Sequence, residues 1–135
     1  MPVLPEPSAT EETSPPDQGL AVAAESLYLI NLLLVPGLAF LVLLWLYRRH
    51  RNAPPMARQH LRQTLSASLW AGALLVITNL LIIALGGYAA ASTWVIVILY
   101  FTTVHATLVM LGILGLAKAL AGQLCSYPLI GELLP

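Results

Sequence analysis

The sequence predicts an all-α membrane protein with three transmembrane helices, an interfacial helical start before the second span and a C-terminal interfacial tail. Charged residues make up 9% of the 135 positions and hydrophobic residues 59%, whereas soluble domains carry roughly 25% charged residues. A soluble fold of this length could not bury so much apolar surface. Apolar stretches recur three times, and a helix of about 20 apolar residues crosses the hydrocarbon layer.

Residues 1–24 predict a flexible, acidic, proline-rich tail. This stretch contains five prolines and four acids, so it has little apolar surface to bury. It also lacks the basic start and apolar core of a signal peptide. We therefore expect the first apolar segment to be kept as a membrane helix.

Residues 25–48 predict the first transmembrane helix, with Glu25 or Ser26 as its N-cap. Pro36 and Gly37 lie at the middle of this segment. Proline removes one backbone hydrogen bond and clashes with the preceding turn, so we expect a kink there.

The rest of the chain predicts a basic linker followed by a helical hairpin. We expect a cytoplasmic linker over 49–64, the second transmembrane helix over 65–86 and a short uncharged outer loop over 87–92. The stretch MARQHLRQTLSASLWAG predicts the interfacial helical start that runs into the second span.

The third transmembrane helix is expected over 93–117. Residues 118–135 are too short and too interrupted by Pro128 and Gly131 to span. They predict a tail that lies along the cytoplasmic membrane surface.

The basic residues predict the orientation of the chain. All six are candidates for determining topology and for contacting anionic phospholipid headgroups: Arg48, Arg49, Arg51, Arg58, Arg62 and Lys118. Because basic residues near membrane segments stay in the cytoplasm, they predict a bacterial inner-membrane protein with its N-terminus outside and its C-terminus inside.

A second set of residues predicts close helix packing. Small residues spaced along one helix face let two helix backbones approach each other in lipid, and single polar groups form hydrogen bonds across helices. The candidates are Ser68, Gly72, Asn79, Gly112 and Gly115.

His105 is the candidate cofactor-binding residue, because ionisable residues near the bilayer midplane are rare and often functional. It can act as a haem or metal ligand, a proton relay or a quinone contact. The alternative is a neutral imidazole that forms a hydrogen bond across helices, for example to Asn79 or a threonine. His50 and His60 lie in the linker region, so a haem would need a second ligand from a partner chain. Beyond bound lipid, no cofactor and no metal site are predicted.

The motifs of catalysis are missing. The sequence has no nucleophile elbow, no HExxH and no phosphate-binding loop, and we expect no carboxylate inside a span. Cys125 is the single cysteine, which excludes an internal disulfide. We therefore predict no catalytic residues and no enzymatic activity.

Two stretches, ARQHLRQTLSASLWAG and GLAKALAGQLCSYPLIG, carry a family resemblance. Together they resemble small bacterial membrane proteins of unknown function, which are distantly similar to a chloroplast inner-envelope protein-import subunit. The resemblance covers roughly residues 56–131 and implies a helical hairpin without a settled activity. The corresponding residues are His60, Gln63, Lys118, Ala119, Gly122, Tyr127 and Pro128.

The function that these observations favour is an accessory or structural subunit of a larger bacterial membrane enzyme complex, such as a respiratory, photosynthetic or oxygenase assembly. Its expected partners are other integral membrane subunits and phospholipid, and no nucleic acid. Two alternatives stay open. One is a transport or translocation component that forms an oligomer, and the other is a redox subunit in which His105 and a partner chain hold the cofactor.

Overall fold

The structure is a computed structural model that describes residues 18–124, and this part of the chain is helical with no strand. Predictions for residues 1–17 and for Cys125, Tyr127 and Pro128 lie outside the described residues. Four helices follow one another. They are α1 (Gln18–Leu33), α2 (Leu38–Arg49), α3 (Pro55–Ala84) and a long helix made of α4 (Ala91–Leu99), a π-helical turn (Tyr100–His105) and α5 (Ala106–Leu120).

The two long helices form a hairpin. α3 and the α4–α5 helix have 30 residues each and are apolar enough to cross a membrane, and each is about 45 Å long. Gly86 ends α3 with a φ of 121°, a conformation that glycine adopts without strain. The N–H of Gly87 donates to the carbonyl of Ile82 at 2.9 Å, which closes the last turn of α3.

The predicted first span is not one kinked helix but two helices. Pro36 has no N–H to donate, and Gly37 has a φ of 89°, so the helix cannot continue through this pair. The side chain of Asn31 stabilises the turn, because its Oδ1 accepts a hydrogen bond from the Gly37 N–H at 3.0 Å.

α1 and α2 fold back on each other. Ala24 of α1 and Leu43 of α2 belong to the same buried cluster as Leu61 and Leu65 of α3. In one continuous helix, residues 24 and 43 would be about 28 Å apart, too far to share these neighbours. The α1–α2 unit is therefore a helical hairpin whose tip lies at the Pro36–Gly37 turn.

Both ends of the α1–α2 hairpin lie at the same end of the molecule. Gln18 donates hydrogen bonds to the carbonyls of Ala119 and Leu120 at the end of α5, and α2 leads directly into the linker over 50–54. We call this end the linker end, and the opposite end, with the connection over 85–90, the loop end.

The prediction of three transmembrane helices is therefore wrong for the described residues, and the predicted orientation in the membrane stays a prediction. Two helices have spanning length. α1 has 16 residues and α2 has 12, which is about 24 and 18 Å, and both are shorter than the hydrocarbon layer.

Several element boundaries also differ from the predicted ones. α1 begins at Gln18, inside the stretch expected to be a flexible tail, so Glu25 is its eighth residue and not an N-cap. α3 begins at Pro55, because proline suits the first turn of a helix, where its missing N–H costs nothing. Residues 55–64 of the expected 49–64 linker are therefore the start of α3, and His60, Gln63 and Thr64 on this stretch are buried in the helix bundle.

Burial is unequal along the molecule. The linker half, which we define as α1, α2, residues 55–71 of α3 and α5, contains nearly all buried side chains. In the loop half, which comprises residues 72–84 of α3, α4 and the π-helical turn, Ile82 and Thr93 are the buried residues. Four helical segments surround the core in the linker half, whereas two helices face each other in the loop half.

Candidate functional site

A buried polar cluster joins three elements in the linker half. Glu25 of α1, together with His60 and Gln63 of α3, is at most 2% exposed. The Nδ1 of His60 lies 2.5 Å from the Oε1 of Glu25, and the Nε2 of Gln63 donates to the same oxygen at 2.7 Å. The Nε2 of His60 lies 3.0 Å from the carbonyl of Gln123, which follows α5.

The partners of His60 determine where its protons lie. The carbonyl of Gln123 can only accept, so the Nε2 of His60 carries a proton and donates it. A second proton lies between Nδ1 and the carboxyl group of Glu25, and the pair is neutral in total whichever atom holds it. This neutrality makes it possible to bury two ionisable groups, because an unpaired charge there would be very costly.

The local sequence brings these side chains together. The buried residues of α1 are Ala21, Ala24, Glu25 and Tyr28, which is the spacing of one helix face. His60, Gln63, Thr64 and Ala67 repeat this spacing on α3.

The turn that ends α5 positions the third partner of His60, the carbonyl of Gln123. Gly122 has a φ of 68°, and the N–H of Gln123 donates to the carbonyl of Lys118 at 2.8 Å. This glycine-ended turn satisfies the last carbonyls of the helix and holds the Gln123 carbonyl toward His60.

Sequence reasoning missed this cluster. It treated Glu25 as a cap and placed His60 in the cytoplasmic linker. The matching spacing of polar and small residues at 21–28 and 60–67 was the signal that could have found it. Among residues 18–124, no three His, Cys, Asp or Glu side chains come together as a metal site.

His105 lies elsewhere, in a groove near the middle of the long helices. The groove has a volume of about 630 Å³ and lies between the tip of the α1–α2 hairpin, α3 and the π-helical turn. The imidazole ring of His105 lies 5.1 Å from the ring of Phe101, between centroids. The expected hydrogen bond between His105 and Asn79 is not formed. Asn79 accepts one from the Tyr88 hydroxyl at 2.7 Å.

The threonines near His105 do not bond to it either. Thr102, Thr103 and Thr107 each donate to a carbonyl of their own helix, as hydroxyls inside helices commonly do. Within the described chain, His105 has ring contacts but no hydrogen-bonding partner.

The residues predicted for helix packing divide between two places. Gly115 is buried, and Gly112 lies against α1, where an added Cβ would be 2.5 Å from the Cδ2 of Leu29 and 2.8 Å from the Cε1 of Tyr28. Ser68 and Gly72 line the groove. An added Cβ at Gly72 would meet nothing within 4 Å, so this glycine has open space beside it and not a neighbouring helix.

The basic residues lie at the linker end. Arg48, Arg49, Arg51 and Arg58 are exposed, and Arg62 and Lys118 are half-buried. The guanidinium of Arg49 lies 5.3 Å from the ring centroid of Trp45, and the Nζ of Lys118 donates to the Oε1 of Gln123 at 3.3 Å. Their role in topology and lipid binding stays a prediction.

Comparison with known proteins gives one match. The sequence pattern of the magnetosome magnetite crystal formation protein family matches residues 16–134, which is most of the chain. No curated protein and no solved structure matches significantly. The distant similarity to a chloroplast import subunit therefore finds no support in these comparisons.

Proposed function

Because this chain belongs to the magnetosome magnetite crystal formation protein family, we propose that it is a small, non-catalytic integral protein of the magnetosome membrane. In this role it supports crystal formation as an accessory component beside other integral membrane proteins. The sequence had favoured an accessory subunit of a larger membrane enzyme complex. The proposed function keeps the accessory role but assigns it to the membrane in which the crystal grows.

The observation that carries the proposal is the arrangement of apolar and polar side chains. Over residues 72–84, α3 exposes large apolar side chains by 46% to 59% of their surface: Leu75, Val76, Ile77, Leu80, Leu81 and Ile83. A continuous apolar surface of this kind needs lipid or another protein against it. The polar side chains of Glu25, His60 and Gln63, in contrast, are inside.

The position of Glu25 supports an indirect role in crystal formation. Iron ions in solution bind carboxylate and imidazole groups that they can reach. Glu25 is fully buried and bonded to His60 and Gln63, so an iron ion from solution cannot reach its carboxylate. The proposed role therefore acts through neighbouring membrane components and not through iron binding by this cluster.

Deletion of the gene in a bacterium that forms magnetosomes tests the proposal. We expect membrane vesicles to form, and crystals in electron micrographs to differ in size or number from those of the parent strain. A plasmid copy should restore them, and a fluorescently tagged copy should lie in the magnetosome membrane. Unchanged crystals together with a location outside magnetosomes would contradict the proposal.

Purification in a mild detergent tests the accessory role separately. The full chain carries a C-terminal affinity tag, and the companions are identified by mass spectrometry. We expect other integral membrane proteins in a fixed ratio to the chain. A uniform particle that contains only this chain and lipid would exclude the accessory role.

A further inference from the structure

We propose that the groove between the tip of the α1–α2 hairpin, α3 and the π-helical turn binds a neutral lipid of the quinone type. Such a molecule has a planar ring with carbonyl oxygens and an isoprenoid tail. This site does not depend on the role of the chain in crystal formation.

The position and size of the groove fit this occupant. Gly72 lies about 26 Å from the start of α3 and His105 about 21 Å from the start of α4, so both are near the middle of helices about 45 Å long. The volume of about 630 Å³ is within the roughly 300–1,000 Å³ of small-molecule sites. A molecule at this depth must be mostly apolar.

Two polar side chains of the groove form no hydrogen bond to any other of the described residues, 18–124. Ser68 is 4% exposed, and its hydroxyl has no hydrogen-bonding partner among residues 18–124. Buried hydroxyls are normally satisfied. His105 also lines the groove, and its ring N–H can donate. An oxygen acceptor on a bound molecule would satisfy His105. Less than 1 Å² of the Ser68 hydroxyl oxygen is exposed, so Ser68 reaches the same acceptor only after its side chain changes rotamer.

The chemistry of the groove favours a quinone over a phospholipid. An acyl chain has no oxygen at the middle of the membrane, because the headgroup and ester groups stay near the surface, about 15 Å away. A quinone has carbonyl oxygens on a flat ring. Phe40, Tyr100 and Phe101 line the groove with aromatic surfaces against which such a ring packs well.

The backbone around the groove has a second unusual feature. The turn that carries Tyr100 and His105 is π-helical, and such turns occur frequently at functional sites in helices. Facing it, Gly72 leaves open space where any other residue would place a side chain. Filling this space is therefore the most direct way to block the groove.

A fluorescence titration tests the proposal. The full chain is placed in lipid nanodiscs, a short-tailed ubiquinone is added, and quenching of tryptophan fluorescence is measured. Trp70 lies between Leu69 and Ala71, which both line the groove. We expect saturable quenching in the unmodified protein, and an affinity lower by about tenfold or more in Gly72→Leu, because the leucine occupies the groove.

Matched variants separate the groove from general effects. Ser68→Ala and His105→Leu each remove one donor, so each should weaken binding by about two- to tenfold. Ala84→Leu places the same leucine side chain on an exposed part of the same helix and should bind like the unmodified protein. Circular dichroism and gel filtration verify that each variant is folded, and the two donor variants carry the test if Gly72→Leu does not fold.

Two results would overturn the proposal. Quenching that rises linearly with quinone and is equal in all variants would show only partition into lipid. The second result uses brominated phospholipids as the quencher. If Gly72→Leu reduces this quenching and ubiquinone does not compete with it, the groove binds acyl chains and not a quinone.

Discussion

The linker half and the loop half are built on the same two long helices, but they are held together differently. In the linker half, the side chains of Glu25, His60 and Gln63 bond inside the bundle, and Gly112 lets α5 lie against α1. In the loop half, large apolar side chains are exposed, and lipid tails would pack against them as well as another helix would. The difference teaches that specific polar bonds and close backbone contacts determine the fold of this chain, because hydrophobicity alone does not drive helix association in lipid.

The largest expected effect concerns the side of the membrane on which the linker end and the loop end lie. In a Cys125→Ser background, cysteines at Gly19 and Asn52 should react with a membrane-impermeant maleimide from the same side, and a cysteine at Ala89 from the other side. The reason is that the α1–α2 hairpin returns to the linker end, as the bonds from Gln18 to the end of α5 require. Labelling of sealed vesicles in both orientations measures this. Labelling of the cysteine at position 19 from the same side as the cysteine at position 89 would contradict the hairpin and support the three-span topology.

The next effect is the loss of one partner in the buried pair. Glu25→Leu leaves His60 without the carboxylate to which it is bonded, and we expect the free energy of unfolding to fall by about 3–5 kcal/mol. Unfolding in mixed detergent micelles, followed by circular dichroism, measures this value.

The double variant Glu25→Leu/His60→Leu is the control for this pair. It removes both polar partners, so it should be more stable than the single variant. The single variant His60→Leu is measured as well, and a loss in the double variant equal to the sum of the two single losses would mean that the two side chains are not coupled.

Two glycines allow a smaller, matched comparison. Gly112→Ala places a Cβ within 3 Å of Tyr28 and Leu29, so we expect a loss of about 1–3 kcal/mol. Gly72→Ala meets no atom within 4 Å and should change stability little, or raise it by up to about 1 kcal/mol through helix propensity. Both values come from the same detergent titration, and equal effects would contradict the placement of Gly112 against α1.

The smallest effect is expected in the loop half. Tyr88→Phe removes the hydrogen bond from the Tyr88 hydroxyl to the Oδ1 of Asn79, which has a length of 2.7 Å and is exposed. We expect a loss of about 0.6 kcal/mol, as is usual for polar contacts in membrane helices. A loss as large as that of Glu25→Leu would mean that polar bonds stabilise both halves equally.

The sequence was sufficient to predict the two long helices. The 19 residues over 66–84 and the 25 residues over 93–117 contain no Asp, Glu, Lys or Arg. Such stretches have one stable solution in lipid, because a helix satisfies its own backbone groups. The hairpin between them followed from Gly86, Gly87 and an uncharged short connection. These features depend on local composition, which a sequence shows directly.

The α1–α2 hairpin could not be predicted in the same way. The composition of 25–48 matches a span, and the Pro36–Gly37 pair was expected to kink it. Whether such a pair kinks or reverses a helix depends on contacts with distant residues, here Ala24 and Leu43 against Leu61 and Leu65. The length of an apolar stretch therefore does not determine whether it crosses the membrane.

The buried cluster escaped prediction for a related reason. His60 lies among arginines in the sequence, so its surroundings indicate an aqueous linker. In the fold, α3 begins at Pro55, five residues before His60, and its helical geometry turns His60 and Gln63 toward α1. The role predicted for His105 stays a prediction, and its ring neighbours Tyr100 and Phe101 come from the π-helical turn, which no simple pattern in the sequence predicts.

The π-helical turn also determines which way the side chains of α5 point relative to those of α4. Its six residues wind more slowly than an α-helix, because their hydrogen bonds skip one additional residue. Relative to an uninterrupted α-helix, α5 is therefore rotated about the helix axis. This rotation lets Thr93 of α4 be buried at the loop end while Gly112 and Gly115 of α5 face α1. Deleting one residue from 100–105 would let this segment close as an ordinary α-helix, because five α-helical residues at about 100° each turn through nearly the same angle as six residues that wind more slowly, so Gly112 and Gly115 would keep their contact with α1. An insertion in this short window would instead aim Gly112 and Gly115 about 100° away from α1, so it should be far more damaging than the loss of one residue.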